Sequence, residues 1–386
     1  MYSIADYGAM IADRTRMNAF RQALDRTVKP GAVVVDIGTG TGIFAFLACR
    51  LGARRVYAIE PDAAIQIARE IAKANGYEDR IEFIQAKSTD VTLPERADVI
   101  VSDIGGILPW FQQHIASIAD ARRRLLAPGG VLIPQQDTVW AAVVEAPALY
   151  ARRMGPWREQ TFDLDMEAAR RMVVNTVTKG QVTREQLLTP RKPWATLDYA
   201  EVEDLNVRTR ISWTIAREGT GHGLIAGFDR TVLDGVNLSN APDAPEAIRP
   251  ELIYGTLFFP WSDPVPLRTG DLVTVDLAAT QMGEDYVWSW TTSVQEEHAA
   301  GHEKAAFMQS TFFGAPLAPA QVKKRAASYR PALNEDGRIA RFVLEAMDGG
   351  IPLSEIAERV SSRFGSRFSR PEDTLRLVAD LSQQYG

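Results

Sequence analysis

The sequence predicts an α/β chain in which a doubly wound parallel-sheet domain leads into an antiparallel β-barrel or sandwich and then a small helical module. Three observations predict it. Between residues 10 and 135, short apolar strands alternate with helical stretches, the pattern of βαβ units. Beyond Gln135 the strands alternate apolar with polar residues, as antiparallel sheets with one covered face do. From about residue 336, apolar residues recur at helical spacing.

The elements follow in order. Residues 10–27 read as one amphipathic helix, closed by the turn Lys29-Pro30-Gly31. VVVDIG follows as a strand apolar on both faces, which suits the centre of a parallel sheet. Gly42 to Leu51 reads as a helix and RRVYAIE (54–60) as the second strand. Ala63 to Asn75 is a helix stopped by Asn75-Gly76. IEFIQA (81–86) and ADVIVSD (97–103) are the third and fourth strands. Ile107 to Leu126 reads as mostly helical, and APGGVLIP (127–134) as a turn and fifth strand. The second domain holds alternating strands at 138–146, 207–216, 251–259, 271–280 and 286–294, with a helical insertion at 157–178. Residues 295–325 read as loop. Helices at 336–360 and 371–384 form the last module.

Composition narrows the classes. The chain has 386 residues, 46% hydrophobic and 24% charged, with net charge -6. That acidic balance supplies no basic excess for phosphates, so no nucleic-acid partner is expected. The single cysteine, Cys49, excludes an intrachain disulfide and a multi-cysteine metal site, and within its apolar helix it reads as core. The opening residues carry acids and no apolar core of a signal peptide. No apolar run approaches the roughly 20 residues of a membrane span. A cytoplasmic enzyme is the expectation.

The stretch DIGTGTG carries the chemistry. Gly38, Gly40 and Gly42 stand at alternate positions between a strand and a helix. Such a turn brings backbone N–H groups and a helix N-terminus against a ligand. A dinucleotide fingerprint wants glycine where Ile43 stands. Asp36 precedes the turn, and Glu60 closes the second strand, where a carboxylate grips a ribose diol. An acid beside the turn suits a cationic cofactor better than a pyrophosphate. S-adenosylmethionine, with its sulfonium and ammonium, fits; a nicotinamide dinucleotide and a turn with no ligand stay open.

These residues resemble the protein arginine methyltransferases. VVVDIGTGTGIFAFLACRLGARRVYAIE is similar to that family's cofactor motif, and MIADRTRMNAF (Met10 to Phe20) to its capping helix. The resemblance implies that Arg16 meets the cofactor carboxylate, Glu60 the ribose, and Ser88 and Thr89, in QAKSTDVTLP, the adenine. It also implies a substrate barrel with a helical dimerisation arm and a homodimer, and covers about residues 2–294. The family grips a substrate guanidinium with two glutamates after the fourth strand. Here SDIGGILPWFQQHI puts Asp103 on the first and Gln112 on the second, and Pro260-Trp261 stands for the barrel's His-Trp pair.

Asp103 lies at a strand's C-terminal end, where open α/β sheets place ligands, and would orient or deprotonate an acceptor; a helix N-cap is its other reading. Trp110 and Trp261 are expected to line a substrate pocket. His114 reads as structural. His298 and His302, four apart, have metal-ligand spacing but no third ligand, so no metal is expected. Arg122-Arg123-Arg124 reads as a solvated helix end.

The tail segment GRIARFVLEAMDGGIPLSEIAERVSSRFG resembles PqqD-like winged-helix modules, which implies binding of a leader peptide. The resulting division is 1–135 for the cofactor domain, 136–295 for the barrel with its arm, and 326–386 for the peptide-binding module. The expected activity is methylation of a peptide or protein side chain at nitrogen or oxygen, in the manner of enzymes that tailor ribosomally made peptides. Methylation of a small molecule, or a scaffold that binds cofactor and peptide without catalysis, are the alternatives.

Overall fold

The structure, a computed structural model, describes residues 2–158, 163–245, 253–297, 303–368 and 370–386. His298 and His302 lie outside the described residues, as do parts of the predicted 157–178 helix and of the 251–259 strand. Two units are present, Met1–Pro316 and Leu317–Gly386.

The first unit opens with two helices, α1 (Ile4–Ala12) and α2 (Arg14–Thr27), where the sequence suggested one. Asp13 divides them. Its backbone is extended (φ -67, ψ 94) and its carboxylate accepts the Arg16 N–H, capping α2. Ser3 and Asp6 form a reciprocal capping box on α1. Then come β1 (Val33–Ile37), α3 (Ile43–Arg50), β2 (Arg55–Ile59), α4 (Ile65–Ala74), β3 (Ile81–Ile84), β4 (Ala97–Ser102), α5 (His114–Arg124) and β5 (Leu126–Ile133). The strands form a parallel sheet in the order β3-β2-β1-β4-β5. Every residue of β1 is buried, as its two apolar faces require. The order reverses between β1 and β4, and the carboxyl ends there open the crevice in which such sheets hold ligands. α5 is shorter than the periodicity of 107–126 suggested. Gly106, at φ 59, and Pro109 keep residues 103–113 out of helix.

The second domain has β6 (Gln136–Val144), α6 (Pro147–Arg158), α7 (Glu167–Val173), β7 (Thr178–Gly180), β8 (Lys192–Asp198), β9 (Val207–Thr214), β10 (Gly219–Leu233), β11 (Val236–Ser239), β12 (Thr256–Leu267), β13 (Leu272–Met282), β14 (Asp285–Gln295) and β15 (Glu303–Ser310). One antiparallel sheet runs β7-β12-β10-β6-β8 with β11 on β10; the other runs β15-β14-β13-β9. An aromatic core that includes Trp194, Trp213, Trp261, Trp288 and Trp290 fills the domain. β15 lies in a stretch the sequence suggested as loop. β10, its longest strand, carries glycines at 219, 221, 223 and 227 that hide its alternation.

The second unit holds α8 (Pro319–Lys324), α9 (Glu335–Met347), α10 (Leu353–Phe364) and α11 (Pro371–Tyr385). Ile339, Val343, Ile356, Val360 and Val378 form its own small core. No strand accompanies these helices among the described residues, so the wing of a winged helix is missing from them.

Candidate active site

The glycine turn leaves β1 and enters α3. Its three glycines take left-handed φ values of 73, 54 and 92. At Gly40 the close approach comes from within the chain, because a Cβ there would sit 2.4 Å from the ring of Tyr7 on α1. Gly40 N–H donates to Glu60 Oε2 at 3.0 Å, and Asp62 N–H to Oε1 at 3.0 Å. These two bonds fix the Glu60 carboxylate at the end of β2, and each oxygen keeps a further lone pair for a hydroxyl. Burial raises its pKa.

Asp36 is fully buried in β1. Its Oδ2 accepts from Thr39 Oγ1 at 2.6 Å and from Ala45 N–H at 3.0 Å, while Oδ1 is buried without a partner. Burial pushes its pKa up to about 7. An orphaned acid oxygen beside a bare backbone, with a second carboxylate at the next strand end, fits the charges and hydroxyls of S-adenosylmethionine. Ser88 and Thr89 lie in a short 3-10 turn, Ser88 buried and Thr89 exposed. Arg124 holds this turn, donating Nη2 to the carbonyls of Ser88 (3.0 Å) and Thr89 (3.2 Å) and Nη1 to that of Val91 (2.7 Å). Arg122 donates to the Tyr199 carbonyl at 3.0 Å. Arg122 and Arg124 are therefore structural bracing, while Arg123 is exposed and solvated as the sequence suggested.

Asp103 sits one residue past β4, with its carboxylate side chain only 5% exposed. Gln113 caps α5, so the N-cap reading of Asp103 does not hold. Three groups of the chain donate to its carboxylate. Arg16 Nε lies 2.6 Å from Oδ2, the Tyr254 hydroxyl 2.5 Å from the same oxygen, and Arg230 Nη1 2.8 Å from Oδ1. Arg230, from β10, forks onto Asp137 of β6 with Nε–Oδ1 at 2.7 Å and Nη2–Oδ2 at 2.9 Å. Tyr199 donates to Asp137 Oδ2 at 2.6 Å and lies 3.0 Å from His114 Nε2. Since the one phenolic proton goes to Asp137, His114 carries its proton on Nε2, and its Nδ1 is buried without a partner.

Burial alone would raise the Asp103 pKa, but the Arg16 and Arg230 guanidiniums outweigh it and hold the group below its ordinary value. His114 is pushed down to about 4, by burial first and then by Arg230. It is neutral and structural, as the sequence suggested.

Other expected site residues lie apart. Gln112 is exposed on a turn at φ 45, with its N–H 3.4 Å from Asp285 Oδ1. Trp110 packs edge-on against Trp194 at 4.8 Å, and Trp261 is wholly buried in the barrel core. Both are core residues, not open walls. Pro260 lies within β12, where its carbonyl accepts from Trp290 Nε1 at 3.0 Å. The residue from this end of the barrel that reaches Asp103 is Tyr254, just ahead of β12. Arg230, Asp137, Tyr199 and Tyr254 are the residues sequence reasoning missed. Their one signal was charge within strands, Arg230 in GLIAGFDRTVL and Asp137 before TVWAAVV. Among the described residues no cluster of His, Cys, Asp and Glu fits a metal.

Comparison with known proteins gives matches on both domains. Residues 15–150 match the family model of ribosomal protein L11 methyltransferase, and residues 135–292 that of the arginine methyltransferase oligomerization subdomain. The probable protein arginine N-methyltransferase 6 of Arabidopsis thaliana is 36% identical over 162 residues, which are 41% of this chain and 37% of that protein. Protein arginine N-methyltransferase PRMT10 of Oryza sativa subsp. japonica is 29% identical over 313 residues, 72% of this chain and 81% of that protein. The first match thus spans little more than a third of its relative's length, the second most of it. Among solved structures, the Trypanosoma brucei PRMT1 enzyme-prozyme heterotetrameric complex with AdoHcy has a TM-score of 0.69 at 24% identity, covering 78% of this chain and 96% of that one. Arabidopsis thaliana protein arginine methyltransferase 10 has a TM-score of 0.68 at 22% identity, covering 80% and 97%. Fold, crevice and both domain matches make the chain an S-adenosylmethionine-dependent methyltransferase similar to the protein arginine methyltransferases.

Proposed function

We propose that the chain methylates a side chain of a peptide or protein, at nitrogen or oxygen, and that the peptide is one delivered by its leader to the C-terminal unit. The observation that carries the reading is Asp103, a buried carboxylate at the mouth of the β1–β4 crevice. When bound, S-adenosylmethionine supplies a sulfonium methyl: the acceptor lone pair bonds to its carbon, the C–S bond leaves its electrons on sulfur, and any acceptor proton passes to solvent. Glu60 would hold the ribose, Asp36 would face the positive charge, and the turn at Ser88 and Thr89 would border the adenine. Arg16 gives Nε to Asp103 and Nη1 to the Met10 carbonyl; its Nη2 would meet the cofactor carboxylate. Alignment supplies most of the acceleration in a transfer whose leaving group is already good.

Two further features support the reading. The C-terminal unit has a groove of about 560 Å³ bordered by Leu333, Leu344, Met347 and Tyr385 beside Arg341 and Glu345. That mix suits a peptide with apolar anchors. The match of residues 135–292 to an oligomerization subdomain supports a homodimer joined through α6 and α7.

The test is mass spectrometry of peptides encoded beside the gene, after incubation with full-length enzyme and trideuteromethyl cofactor. A mass gain of one labelled methyl, lost with Asp103→Ala while S-adenosylhomocysteine still binds, supports the reading. Label on small metabolites alone refutes the peptide acceptor.

A further inference from the structure

We propose that Arg230 is a specificity-determining residue whose guanidinium occupies Asp103 from within the chain, so that the acceptor is a nucleophile without positive charge. The inference rests on the reading of the β1–β4 crevice as a methyl-transfer site.

The argument begins with lone pairs. A carboxylate offers about four acceptor sites, two on each oxygen. Oδ2 of Asp103 receives Arg16 and Tyr254, and Oδ1 receives Arg230. One site remains, on Oδ1. A guanidinium gripped in the usual way needs two parallel bonds, one to each oxygen. A single N–H or O–H needs one. Asp103 as it stands therefore orients a single-donor acceptor and lacks the pair of sites that a guanidinium requires.

Charge leads to the same conclusion. Arg16, Arg230, Asp103 and Asp137 are all buried, with side-chain exposures of 6%, 1%, 5% and 0%. Within this quartet two cations balance two anions, with the partly buried Asp13 the next acid beside Arg16 and Asp103, while Tyr199, Tyr254 and His114 are neutral: both phenols are pushed up and the imidazole down, burial being the first cause for each. A further guanidinium here would be a buried cation without a counterion, which is strongly unfavourable. The second acid that would have balanced it is missing, since the exposed amide of Gln112 stands at its place in the chain.

The geometry also explains why Arg230 stays. It pairs directly across from Asp137 in the β10–β6 ladder, and its fork is bidentate. It lies over the rings of Phe228 (4.7 Å) and Tyr254 (5.6 Å). A side chain so held does not swing away to admit a substrate cation without leaving Asp137 buried and unpaired.

The test compares two short peptides, acetyl-Gly-Arg-Gly-amide and its citrulline counterpart, in which a neutral urea replaces the guanidinium. Each is titrated by NMR against the full chain saturated with S-adenosylhomocysteine. For the native chain the arginine peptide is expected to bind no better than the citrulline peptide, including retention of neither. A tenfold preference for arginine overturns the proposal. The variant Arg230→Met removes one cation, so that one anion is left over, and frees the sites on Asp103 Oδ1 and on Asp137 that the native guanidinium fills. It is expected to gain at least tenfold in arginine-over-citrulline preference; folded variant with no gain overturns the proposal as well. If the variant does not fold, the native comparison decides alone. Affinity for S-adenosylhomocysteine, measured separately by calorimetry, reports on the crevice, so failure of that reading is seen apart from failure of this one.

Discussion

Asp36 and Glu60 are both acids at strand ends, yet their surroundings set different tasks. Glu60 keeps open lone pairs beside two backbone donors, and its expected role is a charge-assisted grip on ribose. Such bonds contribute roughly 1.5–3 kcal/mol each. Glu60→Ala should therefore weaken S-adenosylhomocysteine binding by at least about tenfold, and Glu60→Gln by less; calorimetry showing unchanged affinity for the alanine variant refutes the assignment. Asp36 is different because burial moves its pKa from the ordinary 3.8 to about 7. Between those values the folded chain binds a proton that the unfolded chain releases. The stabilisation is full below pH 4 and is lost as pH rises through 7. Asp36→Asn cannot titrate, so urea unfolding should show the variant gaining on the native chain between pH 4.5 and 7.5, with a ceiling of about 4 kcal/mol. A difference that does not change with pH would mean that Asp36 stays ionised. At this level the sequence pointed to only one half of the proposed site. Asp36, Glu60, the glycines and Arg16 come from a single contiguous motif and its neighbouring helix. Tyr254, Arg230, Asp137 and Tyr199 come from separate strands and loops whose meeting depends on sheet register, which no local pattern encodes.

Among the elements beside the crevice, α1 has a weak hold on the fold. None of its residues is buried, and Ile4 and Ile11 are 54% and 41% exposed. Its stability is local, resting on the Ser3–Asp6 capping box, while α2 buries Ala19, Phe20, Ala23 and Leu24. Yet Tyr7 of α1 leans on Gly40, beside the cofactor crevice. A helix of this kind opens at little cost. Amides of residues 4–12 should exchange at least about tenfold faster than those of α2 in the free protein and become protected when S-adenosylhomocysteine is added; equal protection of both helices before addition contradicts a ligand-ordered cap. The 10–27 periodicity concealed the break because Asp13 interrupts the helix with a cap instead of a glycine or proline. Strands were legible where they alternate, as in β9, β13 and β14. β10 was not, because glycines replace the side chains that would show the pattern. That omission hid Arg230, so an element-level miss became a site-level one.

For the molecule as a whole, the order of domains was readable because the hydrophobic period changes at their borders, from continuous apolar strands to alternating ones and then to helical spacing. The last border was harder to fix, since residues 295–335 contain few patterned apolar residues; the structure divides the chain after Pro316. The core of residues 317–386 is its own: Ile339, Val343, Ile356, Val360 and Val378 are each at most 1% exposed and pack with one another. A unit with a separate core should unfold separately. Removing residues 317–386 should leave the melting temperature of the remaining chain within about 2 °C of its transition in the whole protein. It should also leave S-adenosylhomocysteine affinity within about twofold, because Asp36, Glu60 and Arg16 all belong to the first unit. Methyl transfer should respond differently. If the second unit binds a leader as proposed, the tether would raise the effective concentration of the acceptor to roughly the millimolar range. Without that tether, the KM for a leader-bearing peptide should rise at least about tenfold while kcat changes little, and the same peptide cut free of its leader should show no difference between the two proteins. Equal KM values for the leader-bearing peptide would remove the second unit from substrate capture and leave the crevice to select its acceptor alone.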